Sequence, residues 1–336
     1  MDFQREMKEL YKDILANYIQ TQNEQILYQG QKLSRKSLEN EISPEDIVSI
    51  HKEVIEEIYP TIPEKVLHSM DFLLEVMISY GLAYREHQNL KNRQRQLKSE
   101  IDVAANVQQN LLNTHIPNIP SLDIGAISVP ANQMNGDYHH FVKDENGMIS
   151  IAVADVIGKG IPAAMCMSMI KYAMDSLPES RKNPSYVLEN LNTIVEQNVD
   201  PSMFITMFYG SYNPVEDAFI YASAGHEPGF YYSASEDQFY DLEAKGLVLG
   251  VDRYTKYSQY EKHLQTGDMI VLLTDGVTEC RREGEFIERL DIINLIRSYM
   301  HLSSQQMVDS VYKELEKLQG FQLRDDFTLI ILKRLV

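Results

Sequence analysis

The sequence predicts an α+β protein: an N-terminal all-α bundle and a helical coiled-coil linker, followed by a sandwich of sheets and helices. Up to about residue 113 the apolar residues recur at helical spacing, and glycine occurs only at Gly30 and Gly81. Beyond Pro117, β-rich runs alternate with helical ones, which is the pattern of an α+β domain. The change in pattern places the main domain boundary near residue 120.

Composition limits the class of protein. The 336 residues are 44% hydrophobic and 24% charged, as in a soluble globular protein of one large or two ordinary domains. The net charge of −18 argues against nucleic-acid binding, because nothing offsets repulsion from phosphates. The N-terminus has no signal pattern, and the apolar runs are too short to span a bilayer. Cys166 and Cys280 form no disulfide scaffold or zinc site. We expect a cytoplasmic protein without a membrane or nucleic-acid partner.

Residues 1–84 are predicted to form a bundle of about four helices. Ser43 is a candidate N-cap, followed by Pro44 and two acidic residues in the first turn. The segment 59–63, with two prolines, separates this helix from the next. Such a bundle could bind a partner or mediate dimerisation, and its apolar stripes could equally serve only as its own core.

Residues 85–120 are predicted to be a coiled-coil linker that pairs two chains as a parallel homodimer. Seven residues follow a 3-4 heptad spacing: Leu90, Gln94, Leu97, Ile101, Ala104, Gln108 and Leu111. Glutamine at two of these positions predicts weak pairing. The segment is therefore either a passive linker or a switch whose ordering is controlled elsewhere, with Gln94, Leu97, Ile101 and Gln108 as its switch residues.

Residues 121–336 are predicted to be one mixed domain. Turn-forming residues at 117–123 mark its start. We predict strands at 122–129, 138–143, 148–155, 203–213, 218–224, 257–264, 268–274 and 326–334, and helices at 161–177, 185–198, 287–300 and 303–319.

Aspartates at the ends of apolar strands are the candidate functional residues. They are Asp137, Asp155, Asp275 and the pair Asp325–Asp326. A single aspartate in such a position is most often a turn former, but four such sites favour carboxylates that converge on divalent cations. Oxygen-only ligands select Mg²⁺ or Mn²⁺, and two such ions are the usual arrangement for hydrolysing phosphate esters. The pattern alone does not establish that the carboxylates converge.

Six ordered motifs resemble those of the PPM (PP2C-like) serine/threonine phosphatases, and most closely their SpoIIE-like branch. The motifs are Gly136-Asp137-Tyr138, Ala154–Gly160, Phe204–Phe208, Ala224–Pro228, Leu273–Glu279 and Asp325–Thr328. This resemblance covers roughly residues 120–336. The helical N-terminal part extends it over the whole chain to the RsbU-like phosphatases, which are positive regulators of sigma-B.

The resemblance implies a PP2C-like αββα sandwich with two Mn²⁺ or Mg²⁺ ions at one edge. It implies that Asp155 bridges both ions, with the Val156 backbone carbonyl as a further ligand. It places Asp275 and Asp325 on the second ion, and Asp137 on the first ion mainly through water. Asp155 and Asp275 would thus be catalytic through activated water, which attacks phosphorus without a covalent phosphoenzyme.

One departure leaves the general acid unassigned. Many relatives place a histidine just after the metal aspartate, where this chain has 156–158. His226 is a candidate, with a turn-stabilising role as the alternative, and Lys159 could position phosphate or be a solvated loop residue. Asp326 is less expected as a ligand than Asp325, because the family often has asparagine there.

The resemblance also implies a regulatory pathway. An RsbU-like phosphatase dephosphorylates a phosphoserine on an RsbV-like anti-anti-sigma factor, which leads to release of sigma-B. Binding of an RsbT-like switch protein to the N-terminal domain turns it on. We hypothesise that this partner orders residues 85–113, repositions helix 161–177 and raises metal occupancy. A catalytically inactive interaction module and a different two-metal enzyme are the competing classes.

Overall fold

The computed structural model describes residues 2–40, 42–112, 114–145, 147–158, 160–176, 182–200, 202–282, 285–321 and 323–335. The chain forms two compact units, Met1–Lys98 and Ser99–Val336. The boundary between them falls inside the segment predicted as the linker, 85–120. Lys159, a candidate for phosphate positioning, lies outside the described residues.

The first unit is helical throughout. Its helices are α1 (Asp2–Thr21), α2 (Glu24–Glu39), α3 (Pro44–Ile58) and the part of α4 (Glu64–Leu112) up to Lys98. Helix α3 begins as predicted, with Ser43 as its N-cap. The Ser43 hydroxyl accepts a hydrogen bond from the Asp46 amide, and the Asp46 carboxylate accepts one from the Ser43 amide, which is a capping box. Met7, Leu33 and Val54 are buried in a small core.

Helix α4 is one continuous helix of 49 residues that runs through the predicted coiled-coil segment. Its stretch Glu64–Asn110 contains an 18-residue window that is long and apolar enough to cross a membrane by length and composition alone, and 6% of that window is buried. One such helix is weak evidence for a membrane span.

The predicted heptad positions differ in their surroundings. Leu90 and Leu97 are 61% and 54% exposed, and Gln94 is also exposed. Ile101 is half-buried, whereas Gln108 is 4% exposed and lies against other residues of the unit Ser99–Val336. The interpretation of Gln108 as a residue of a seam between two chains is therefore wrong for this structure. The homodimer itself stays a prediction.

The second unit contains two five-stranded antiparallel sheets. In chain order the strands are β1 (Leu122–Val129), β2 (Asp137–Lys143), β3 (Ile149–Val156), β4 (Ile205–Asn213), β5 (Ala218–Ala224), β6 (Gly229–Ser233), β7 (Gln238–Leu242), β8 (Tyr260–His263), β9 (Met269–Leu273), β10 (Arg281–Arg282), β11 (Glu285–Phe286) and β12 (Phe327–Arg334). One sheet has the order β1-β12-β9-β6-β7 and the other the order β2-β3-β4-β5-β8, while β10 and β11 form a short separate ladder.

Helices cover the outer face of each sheet. They are α5 (Ile161–Asp175), α6 (Pro184–Asn198), the single turn α7 (Asp275–Thr278), α8 (Arg289–Ser298) and α9 (Ser304–Leu318). Helices α5 and α6 pack on the sheet that contains β3, and α8 and α9 pack on the sheet that contains β12. The layers are helix, sheet, sheet and helix, so the predicted αββα fold is confirmed.

Successive side chains of the central strands point to opposite faces of the sheet, and both faces are covered. In β3, Ala152 and Ala154 face α5 and α6, whereas Ile151 and Val153 face the opposite sheet. The other sheet contributes Ile270 and Ile330, among others, to the apolar layer between the sheets. Because both faces are covered, these strands are continuous apolar runs.

The hairpin β6–β7, the short ladder β10–β11 and the single turn α7 were not predicted. Most predicted strands and helices match within two residues. Strand β7 lies at a sheet edge and is mostly exposed, so it lacks the alternation that marks a half-buried strand. The predicted strand 257–264 is shorter, since β8 spans only Tyr260–His263.

Candidate active site

The predicted aspartates lie at one end of the two sheets. Asp137 opens β2 and is paired in register with Asp155 near the end of β3. In the other sheet, Asp275 follows β9 and Asp325 lies just before β12, which runs antiparallel beside β9. The antiparallel order thus brings the end of one strand and the start of its neighbour to the same edge.

Asp137 is the most buried of these carboxylates, at 2% exposed, and it links the two sheets. Its Oδ2 accepts hydrogen bonds from the hydroxyls of Thr274 and Thr328, each at 2.7 Å. Burial raises the pKa of Asp137 well above its usual range; the two threonine bonds oppose this, and the charges of Asp155 and Asp326 add to it. A negative charge here is therefore unfavourable without a cation.

Asp275 and Asp325 form a second acidic pair that is more open. Asp275 is half-buried at the start of α7. Its pKa is raised by burial first and then by the charges of Asp325 and Glu279. Like Asp137, this carboxylate would be stabilised in its charged form by a divalent ion.

Asp326 has a structural role that separates it from Asp325. It is buried, and its Oδ1 accepts a 2.7 Å hydrogen bond from the Ala131 amide while its Oδ2 accepts one from the Gly136 amide. A Cβ atom at Gly136 would lie 2.9 Å from Asp326 Oδ2, so glycine permits this close approach. Asp326 thus holds the loop before Asp137, which favours Asp325 as the metal ligand of the pair.

The turn after β3 contains two glycines in a backbone conformation that favours glycine. Gly158 and Gly160 have φ values of +117° and +80°, in the left-handed region that other residues rarely adopt. Gly160 then precedes α5, with Pro162 in the first turn of the helix. Val156 ends β3 directly after Asp155, which is where the resemblance places its carbonyl as a ligand.

The candidate metal ligands are of the chemical type that binds hard divalent cations. The candidate ligands are carboxylate and carbonyl oxygens, the preferred ligands of Mg²⁺ and Mn²⁺. Asp137 is one of the residues that line a polar cavity of about 760 Å³. Among the residues that the structure describes, no three acidic, histidine or cysteine side chains enclose a cation as they stand.

His226 is unsuited to donate a proton to a leaving group. It is buried, its Nδ1 lies 2.8 Å from the Thr206 hydroxyl, and its backbone amide donates to Ser223 Oγ. Burial lowers its pKa to about 4, so the ring is neutral at pH 7. This supports the turn-stabilising alternative.

The sequence interpretation missed the groups that hold the aspartates. Thr274 and Thr328 both lie inside motifs that were recognised, next to Asp275 and close to Asp326, so a search of those motifs for hydroxyls could have found them. Gln108 was assigned to a different role because its spacing fits a heptad.

Comparisons with known proteins agree with this fold. The family described as Stage II sporulation protein E (SpoIIE) matches residues 145–335, and the family described as Phosphoserine phosphatase RsbU, N-terminal domain, matches residues 9–83. Phosphoserine phosphatase RsbU of Bacillus subtilis (strain 168) is 61% identical over 336 residues, which is 100% of both chains.

Solved structures show the same fold. The SiaA-PP2C domain of Pseudomonas aeruginosa superposes with a TM-score of 0.63 at 17% identity, covering 73% of this chain and 99% of that chain. A Mycobacterium tuberculosis structure of RsbU and RsbW domains gives a TM-score of 0.56 at 26% identity, covering 66% and 63% of the two chains. The second unit therefore has the PP2C-like fold of the SpoIIE-type phosphatases.

The chain belongs to the RsbU family of phosphoserine phosphatases, as the identity over its full length shows. The resemblance drawn from the motifs is confirmed, and so is the class of enzyme, a serine/threonine phosphatase of the PP2C type.

Proposed function

We propose that the protein removes phosphate from a phosphoserine of an RsbV-like anti-anti-sigma factor, and that this leads to release of sigma-B. The observation that carries the proposal is the set of carboxylates at one edge of the sandwich: Asp137 beside Asp155, and Asp275 beside Asp325. The relative that is 61% identical is a phosphoserine phosphatase, which supports a phosphoserine substrate.

Asp137, Asp155, Asp275, Asp325 and the Val156 carbonyl would hold two Mn²⁺ or Mg²⁺ ions. When bound, such ions lower the pKa of water and neutralise charge on phosphoryl oxygens. The protein's own contribution is orientation. Thr274 and Thr328 fix the direction of the Asp137 carboxylate, and Asp326 fixes the loop before it.

The first unit is proposed to bind an RsbT-like activator through residues 1–84. The match of 9–83 to the RsbU N-terminal domain supports this. An apolar cavity of about 170 Å³ between α1 and α2, lined in part by Tyr11, Leu15 and Leu33, offers a place for an apolar side chain of such a partner.

A cytoplasmic homodimer is proposed on the apolar side chains that α4 exposes up to Lys98. They are Val66, Phe72, Leu73, Val76, Ile78, Tyr80, Leu82, Tyr84, Leu90 and Leu97. Pairing with a second chain would bury those that lie on one side of the helix, which are unfavourable in water when exposed. Because Gln94 lies on this helix, Gln94→Leu should strengthen pairing and raise activity in the absence of the partner.

The test is manganese-dependent phosphate release from a phosphoserine anti-anti-sigma protein, with and without the RsbT-like activator. We expect turnover that the activator increases and that Asp155→Asn and Asp275→Asn each reduce by about 10³-fold. Asp252→Asn, an exposed aspartate of the same unit, is the matched control and should keep full activity. No turnover with activator and excess Mn²⁺ would favour an interaction module instead.

A further inference from the structure

The end of helix α4 contacts the loop that carries Asp137 through one buried side chain. Gln108 Nε2 donates a 2.7 Å hydrogen bond to the backbone carbonyl of Asn135, and the Asn135 amide donates a 3.0 Å bond back to Gln108 Oε1. The side-chain amide thus bonds to the N–H and the C=O of one residue, as the opposite residue of an antiparallel strand would. Two bonds to the same residue fix both its position and its orientation.

The Asn135 side chain takes part in the hydrogen bonds around Asp137. The Asn135 side chain accepts a 2.9 Å bond from the Asp137 amide and donates a 3.0 Å bond to Ser128 Oγ. Ser128 Oγ in turn lies 3.0 Å from Thr328 Oγ1, which donates to Asp137. A continuous set of hydrogen bonds therefore joins Gln108 to the Asp137 carboxylate.

Gln108 also contacts the helix that follows the Asp155 turn. Its Nε2 lies 3.3 Å from Sδ of Met167, which is buried on α5. One side chain thus contacts the loop before Asp137 and the helix after Asp155. A second, exposed contact from the same part of α4 reaches this loop, where Gln133 Nε2 donates a 2.8 Å bond to Asp102 Oδ1.

We infer that Gln108 is a positioning residue of the active site, which holds the Asn135–Asp137 loop in the arrangement that binds divalent metal. In this role the end of α4 stabilises the loop that carries Asp137. A shift of the helix would therefore move this loop through Gln108 and change the metal site. The inference deepens the proposed function and rests on it for the metal. It also gives Gln108 a role opposite to that expected of a heptad residue between two chains.

The first test compares full-length wild type with Gln108→Met, which keeps the length of the side chain and removes both hydrogen bonds. Gln109→Met is the matched control, since Gln109 is adjacent and exposed. Two quantities are measured: hydrogen exchange of the backbone amides of residues 131–137 without metal, and Mn²⁺ affinity by calorimetry. We expect Gln108→Met to speed exchange roughly tenfold and to weaken Mn²⁺ binding by about 10- to 100-fold. Gln109→Met should change neither.

The outcomes separate the inference from the function on which it rests. Unchanged exchange in Gln108→Met overturns the contact itself. Faster exchange with unchanged Mn²⁺ affinity overturns the positioning role and leaves the phosphatase proposal intact. A wild type that binds no Mn²⁺ overturns both proposals together.

A second test uses the sign of an effect on turnover. If Gln108 lay between two chains, Gln94→Leu and Gln108→Leu would both raise activity measured without the activator. The positioning role predicts opposite signs at subsaturating Mn²⁺: Gln94→Leu raises activity, whereas Gln108→Leu lowers it by about tenfold or more. For Gln108→Leu, excess Mn²⁺ should restore most of the turnover, which a merely misfolded variant would not show. An increase with Gln108→Leu would contradict the inference.

Discussion

The two units of the chain differ in what they bury and what they expose. In the described part of Ser99–Val336, many polar side chains are buried and hydrogen-bonded, among them Gln108, Asp137, Thr274, Asp326 and Thr328. In the described residues of Met1–Lys98, Ser37 is the buried polar side chain, and large apolar side chains such as Phe72 and Tyr80 are exposed.

The two units therefore differ in where their binding specificity resides. A buried polar group costs free energy unless it is paired, so a cluster of them marks a place where geometry matters. An exposed apolar face instead marks a surface that another molecule can cover. In the unit Ser99–Val336, called the catalytic unit below, function therefore depends on single side chains. In the unit Met1–Lys98, called the helical unit below, it depends on an exposed surface.

Of the differences between the two units, we expect the largest between one threonine in each. Thr328→Val removes a hydroxyl that donates to Asp137, and it should weaken Mn²⁺ activation by about 10- to 100-fold. Thr21→Val removes an exposed hydroxyl that donates to the Asn17 carbonyl in α1, and activity should not change. The measurement is the Mn²⁺ concentration that gives half-maximal phosphate release. Equal effects of the two variants would remove the distinction between the units.

A smaller effect concerns the stability of the catalytic unit in acid. The pKa of buried His226 is about 4, below its value of about 6.5 in an unfolded chain. Between these values the unfolded state binds the extra proton, so stability is lost as pH falls from about 6.5 to 4. We expect wild type to lose about 3 kcal/mol more than His226→Gln over this range.

Urea unfolding at pH 7 and pH 4.5 measures the His226 effect. His51 of the helical unit is a useful comparison, since burial lowers its pKa as well but the ring is only half-buried. His51→Gln should change the pH dependence less than His226→Gln does. Parallel acid losses in wild type and His226→Gln would show that the buried ring is not the titrating group.

The smallest expected effect lies on the surface of the helical unit. Lys12 and Glu57 form an exposed ion pair with a 2.6 Å N–O distance. Such pairs contribute little in water because solvent and salt screen them. The Tm of Lys12→Met in a thermal melt should equal that of wild type within error. A clear fall in Tm would mean that surface pairs stabilise this unit more than its small core suggests.

The sequence predicted most of the fold because the strands of the catalytic unit are unusually clear. Runs such as Met269–Leu273 are buried on both faces, and Asp275 and Gly276 follow shortly after this one, so both the type and the end of the strand are marked. The hairpin β6–β7 escaped prediction because an exposed edge strand has no buried face to impose alternation.

The candidate site was predictable as a set of residues but not as a set of contacts. Asp137, Asp155, Asp275 and Asp325 follow from motifs. The role of Gln108 did not, because heptad spacing shows that one face of a helix is apolar or buried without showing what covers it. Here its cover is a loop more than twenty residues further along the same chain.

Calorimetric titration of Mn²⁺ into the full-length protein measures whether this edge of the sandwich binds metal. We expect wild type to bind two ions per chain and Asp155→Asn, which keeps the size of the side chain, to lose most of this binding. Equal binding of Mn²⁺ by wild type and Asp155→Asn, or no binding by wild type, would contradict a metal site at this edge of the sandwich.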